Sequence, residues 1–140
     1  MSARFINIPG ALAKAGETLG VSQAVSIPAN ARIVVTSGQV GFREDLSISE
    51  NLGEQLDQIL QNAQRVLVAS GVNDGLKSVY QITIYMLELS DELVVEWKRA
   101  KARFMGDVRP VETGVAVPAL YGGAKMEMTF YAIAGPDQKL

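Results

Sequence analysis

Two carboxylates, Glu112 and Glu127, are the first candidates for chemistry in this chain; each stands near the start of a strand-like run within RPVETGVAVPALYGGAKMEMTFYAIAG, residues 109–135. A carboxylate can orient or deprotonate water, and two held close together share a proton, which raises the pKa of one of them. Strand alternation puts Glu127, Thr129 and Tyr131 on one face and Met126, Met128, Phe130 and Ala132 on the other. Glu112, Gly114 and Ala116 share a face in the same way, and Gly114 leaves bare backbone where a ligand can approach. A second bare stretch is Ser37-Gly38-Gln39-Val40-Gly41, which either opens the backbone at Ser37 and Gly38 to a ligand or forms a bulge or turn. Tyr121, just before Gly122-Gly123, either overhangs the pocket or packs on its own hairpin.

The absences narrow the chemistry further. The 140 residues include no His and no Cys, which removes imidazole bases, thiol nucleophiles and the usual zinc ligand sets. Any catalysis falls to carboxylates, hydroxyls, Lys, Arg, the backbone or a cofactor. The length suits one domain over residues 1–140. A net charge of −2 argues against a broad phosphate-binding surface, and no run reaches membrane-spanning length. The expectation is a cytoplasmic protein with a small-molecule substrate and neither nucleic acid nor membrane as partner.

The elements that must position these residues follow in order. Phe5 to Ile8 reads as an edge strand followed by an Ala/Gly-rich loop, and Gln23–Ile27 and Arg32–Thr36 read as a hairpin around Pro28-Ala29-Asn30-Ala31. Ser47-Ile48-Ser49-Glu50 fits a capping box for a long amphipathic helix carrying Leu52, Leu56, Ile59, Ala63, Val66 and Leu67 and ending near Gly71. Ser78 to Leu87 alternates as a strand whose second face, Val79, Gln81, Thr83, Tyr85 and Leu87, is too apolar to be simply solvated. Ser90-Asp91-Glu92 opens a second helix with a buried stripe of Leu93, Trp97, Ala100 and Phe104, in which Trp97 either packs in the core or lines the cleft. Its Lys98, Arg99, Lys101 and Arg103 read as a solvated basic face. Two final strands, Glu112–Leu120 and Lys125–Ala134, read as neighbours joined by Tyr121-Gly122-Gly123. The order β-β-β-α-β-α-β-β gives an α+β domain with two helices on one face of a mixed or antiparallel sheet.

At this point the chain resembles the RidA/YjgF family of reactive intermediate deaminases, also called endoribonuclease L-PSP. The resemblance runs from Ser22 to Ala134. It is carried by Ser22-Gln23-Ala24-Val25, by Val35-Thr36-Ser37-Gly38-Gln39-Val40-Gly41, by the helix end from Asn62 to Gly71, and by Arg109-Pro110 followed by Lys125-Met126-Glu127-Met128.

The resemblance implies a chorismate-mutase-like subunit, a homotrimer with ligand clefts between subunits, and hydrolysis of enamines or imines to a carbonyl compound and ammonia without metal or cofactor. It places the water-positioning glutamate at Glu127. At Glu112 it expects an Arg that grips the substrate carboxylate, and at Val21 a Tyr. An ionised Glu112 repels a carboxylate that Arg would hold with two parallel hydrogen bonds. The expected substrate is therefore not a simple 2-imino acid but a carboxylate-free imine or a cation bound by Glu112. The alternative is a non-catalytic trimer that binds a metabolite or protein in the same cleft. Ribonuclease activity, suggested by the family's older name, finds no support in a chain without His or a stacking platform.

Overall fold

In the computed structural model, which describes residues 3–135, the chain forms β1 (Arg4–Ile6), α1 (Ala11–Leu19), β2 (Ala24–Ser26), β3 (Arg32–Val35), α2 (Leu52–Ala69), β4 (Val79–Met86), α3 (Asp91–Met105), β5 (Val111–Ala116) and β6 (Met126–Ala134). The main sheet has the order β3-β6-β4-β5, with β4 antiparallel to β6 and parallel to β5. A parallel pair needs a long crossover, and α3 supplies it between β4 and β5. This is the expected α+β class with a mixed sheet and with α2 and α3 on one face.

The core lies between those helices and the sheet. Leu56, Ile59, Leu60, Ala63 and Leu67 of α2 and Leu93, Trp97 and Ala100 of α3 pack on Ile82, Ile84, Met126, Met128 and Phe130. Burying each large side chain contributes on the order of 1.5–3 kcal/mol, so this layer holds the sheet against the helices. Val66, assigned to the α2 stripe, is instead 39% exposed, and Leu60 takes its place.

Several expectations are corrected. The Ala/Gly-rich segment is the helix α1: alanines favour helix, Gly20 ends it at φ 71°, and its only buried residue is Gly16, so no apolar stripe marks it. β2 and β3 are not a hairpin, because β2 pairs with β1 and β3 with β6. β5 and β6 are not neighbours either, since β4 lies between them. α2 starts later than the Ser47 capping box: Asn51 is the N-cap and accepts from the Glu54 N–H at 2.9 Å, while Ser47 is bound to Asp45. A register shift between Val79 and Gln81 turns Val79 into the core and brings the Tyr80 ring to 6.3 Å from Tyr131.

Candidate functional site

Alternation along β6 sends Met126, Met128 and Phe130 into the core, and this leaves Glu127, Thr129 and Tyr131 on the face that no helix covers. The segment after β3 is pinned beside them. Gln39 and Met128 exchange backbone hydrogen bonds at 2.7 and 3.0 Å, and the Thr36 hydroxyl accepts from the Phe130 N–H and donates to the Ser37 carbonyl. This clamp lays Gly38 directly under Glu127. A Cβ on Gly38 would sit 2.5 Å from a Glu127 carboxylate oxygen, so only glycine permits the contact. Sequence reasoning thus named Glu127, Gly38 and Ser37, and the fold brings them together.

Glu112 occupies a different environment. It is in register with Ile82, on the helix side of the sheet, whereas Glu127 is in register with Tyr85 on the open side. Within one chain the two carboxylates therefore lie on opposite faces and cannot share a proton. The Glu112 side chain is only 8% exposed; its Oε2 accepts from Lys101 Nζ at 2.7 Å and its Oε1 from Trp97 Nε1 at 2.8 Å.

Lys101, 6% exposed, gives its other protons to the carbonyls of Leu19 and Gly20, so all three donors are used. Arg109 donates to the Val21 carbonyl at 2.8 Å. The carbonyl-rich end of α1 thus docks on two cations, as a helix C-terminus favours. Burial raises the Glu112 pKa and lowers that of Lys101, and their mutual attraction opposes both shifts. Wherever the proton between them resides, the pair is net neutral.

A cavity of about 190 Å³ opens beside this pair, lined by Leu19, Val21, Ile84, Met86, Leu89, Leu93, Val94, Trp97, Glu112, Gly114 and Met128. Gly114 joins Glu112 there. A wider groove of about 670 Å³ begins at Gly38 and runs over Phe42, Arg43, Asn62 and Arg65, but Glu127 is not in its wall. Tyr121 is placed with neither carboxylate: 77% exposed in a short turn, it sits edge-on to Phe42 with centroids 6.3 Å apart.

The functional residue not expected from the sequence is Lys101, which lies buried rather than on the solvated basic face of α3. The signal was present: Lys101 follows Trp97 by four residues and so falls on the buried side of α3. Arg99 and Arg103 do lie at the surface, where they pair with Asp57 of α2.

Residues 18–134 match the family model described as Endoribonuclease L-PSP. No curated protein sequence is similar enough to count as a relative. Among solved structures, the Rid-family protein YyfB of Yersinia pestis, described as of unknown function, superposes with a TM-score of 0.76 at 24% identity, covering 95% of this chain and 99% of its own. RidA from the Antarctic bacterium Psychrobacter is 26% identical, with a TM-score of 0.66 over 80% of this chain and 86% of its own. TdcF of E. coli, solved with bound serine, matches at 20% identity and a TM-score of 0.65 over 80% of this chain and 91% of its own.

Proposed function

Because the chain belongs to the endoribonuclease L-PSP family, the group also called RidA/YjgF, we propose that it hydrolyses a reactive imine or enamine at a site built around Glu127 and Gly38. The observation that carries this reading is the Glu127 carboxylate lying against the bare Gly38 backbone on an uncovered sheet face. Glu127 takes a proton from water as the water oxygen bonds to the imine carbon, and returns it to the nitrogen. Glu127 then carries the hydroxyl proton of the resulting carbinolamine to its amino nitrogen, and the C–N bond breaks as the C=O bond forms, releasing ammonia. An enamine first takes a proton on carbon and releases one from nitrogen to become the imine. Positioned proton transfer of this kind contributes about 10²–10⁴-fold in rate.

The reading includes a homotrimer with the site in the cleft between copies. Supporting it, the open face carries Val35, Thr83, Tyr85, Val115 and Tyr131 around Glu127, with Val35 and Val115 exposed. Such a half-apolar face of a mixed sheet calls for a cover. A site drawing on Glu127 from one copy and the Glu112 side of another also reconciles their placement on opposite faces.

Glu112 does not act as the cation anchor expected from the sequence, since both of its oxygens are engaged within the chain. That same feature favours a second reading, a non-catalytic binding module that kept the cleft and lost the Arg. Both are tested by generating a carboxylate-free imine and 2-aminoacrylate in situ and following ammonia release, with the mass in solution measured by light scattering. Release above the uncatalysed rate by a particle of three chain masses is expected. No release from either class, together with a ligand that raises the melting temperature without being consumed, selects the binding module.

A further inference from the structure

We propose that the cavity between the end of α1, the β4–β5 edge and α3 is a subsite for a small, uncharged, apolar group, so that the imine handled here carries an alkyl or aryl substituent in place of a carboxylate. The chemistry in this statement rests on the deaminase reading; the binding claim stands by itself.

Size is the first support. The cavity measures about 190 Å³ and its walls are mainly Leu19, Val21, Ile84, Met86, Leu93 and Trp97. An apolar cavity of about 150 Å³ stays dry and admits benzene, so this one accommodates a ring or a short branched chain. Burying such a group gains from every apolar wall atom it meets.

Charge is the second support. Among the described residues Glu112 is the only charged one in the wall, and it is already paired: Lys101 at 2.7 Å neutralises it and Trp97 at 2.8 Å donates to its other oxygen. Lys101 has no donor left for a ligand, its remaining two being held by Leu19 and Gly20. The Arg109 guanidinium is turned to the Val21 carbonyl and is not part of the wall. A ligand carboxylate entering here would be desolvated against occupied acceptors with no cation to receive it. An apolar group meets no such penalty.

Gly114 is the third. It is exposed, and a Cβ there would come 2.8 Å from the Met86 methyl, so the bare backbone keeps room at the cavity's edge.

The chain contains a single Trp, and Trp97 is in the cavity wall, so its indole N–H resonance reports occupancy directly. The test is a titration of the full chain with fluorobenzene and, separately, with 4-fluorobenzoate. Fluorobenzene is expected to shift the Trp97 signal saturably, and 4-fluorobenzoate to bind at least tenfold more weakly. Gly114→Val and Val21→Phe fill the cavity from two different walls, and each is expected to weaken fluorobenzene binding at least tenfold. With two such variants, a folding defect in one leaves the other to decide.

Equal or tighter binding of 4-fluorobenzoate overturns the proposal, as does a Trp97 signal that fluorobenzene leaves unmoved or that neither filling variant protects. Glu127→Gln should keep the fluorobenzene response, because Glu127 is not in the cavity wall and the substitution preserves its size. If the native protein hydrolyses no imine while fluorobenzene behaves as described, the deaminase reading fails and the apolar subsite stands. If 2-imino acids are hydrolysed best and 4-fluorobenzoate binds more tightly, the subsite fails and the deaminase reading stands.

Discussion

Glu127 and Glu112 are the same side chain on two faces of one sheet, and their surroundings assign them different work. Glu127 rests on glycine backbone on the open face, among the hydroxyls and rings of Thr129 and Tyr131. Glu112 is sealed under α3 with both oxygens engaged by Lys101 and Trp97. A carboxylate with a free lone pair beside exposed backbone can act on a water. One buried with each oxygen tied to a fixed donor holds the structure together and shapes a cavity wall. Proximity along the chain carried no information about this; face and partner did.

The largest effect expected on breaking this comparison comes from Lys101→Met. Removing one partner of a buried pair leaves an uncompensated charge and costs about 3–5 kcal/mol, measured by denaturant unfolding. Lys101→Met combined with Glu112→Leu should recover most of that loss; if the double variant is as unstable as the single, the pair is not what couples α3 to β5.

The pH dependence follows from burial raising the Glu112 pKa. In the Lys101→Met variant the folded state holds a proton that the unfolded chain releases above its ordinary value near 4.5, so stability falls as pH rises through the window above that value. The variant's deficit against the native protein should therefore shrink as pH drops toward 4.5. A deficit that grew on acidification would refute the assignment.

Gly38→Ala probes the other face. The added methyl must displace the Glu127 carboxylate, and a shift of that order can lower turnover by about 10²-fold, read in the ammonia assay at little expected change in melting temperature. Residues belonging to neither region set the background. Asn51→Ala should cost about 1 kcal/mol because it removes the α2 cap, while Ser47→Ala should have a smaller effect. Leu46 is a leucine held at φ 66° and 72% exposed, so Leu46→Gly should leave stability unchanged or raise it by under about 1 kcal/mol, since relief of strain outweighs the extra freedom of the unfolded glycine.

Much of the architecture was legible because it is local. The alternation along β6, the stripe of α2 and the Ser90 cap of α3 are each written in neighbouring residues, and the structure repeats them. Strand partners were not legible. Tyr121-Gly122-Gly123 looks like a hairpin turn between β5 and β6, yet β4 takes the place between them, because α3 returns the chain to the far side of β4. The site divided along the same line. Gly38 and Glu127 are legible as a bare-backbone stretch and a strand carboxylate, the family likeness adds a role for Glu127, and the fold places them together. Lys101 was lost among Lys98, Arg99 and Arg103, because a charge count does not distinguish the one position in four that faces inward.

Glu127→Gln separates the two roles, in which Glu127 on its glycine platform activates water and the Glu112 side only receives the substrate. Ammonia release from a carboxylate-free imine is measured for the native chain and the variant, with fluorobenzene binding at Trp97 followed in both. A loss of turnover of about 10²–10⁴-fold with the Trp97 response intact is expected. Turnover that survives the substitution would contradict the role given to Glu127.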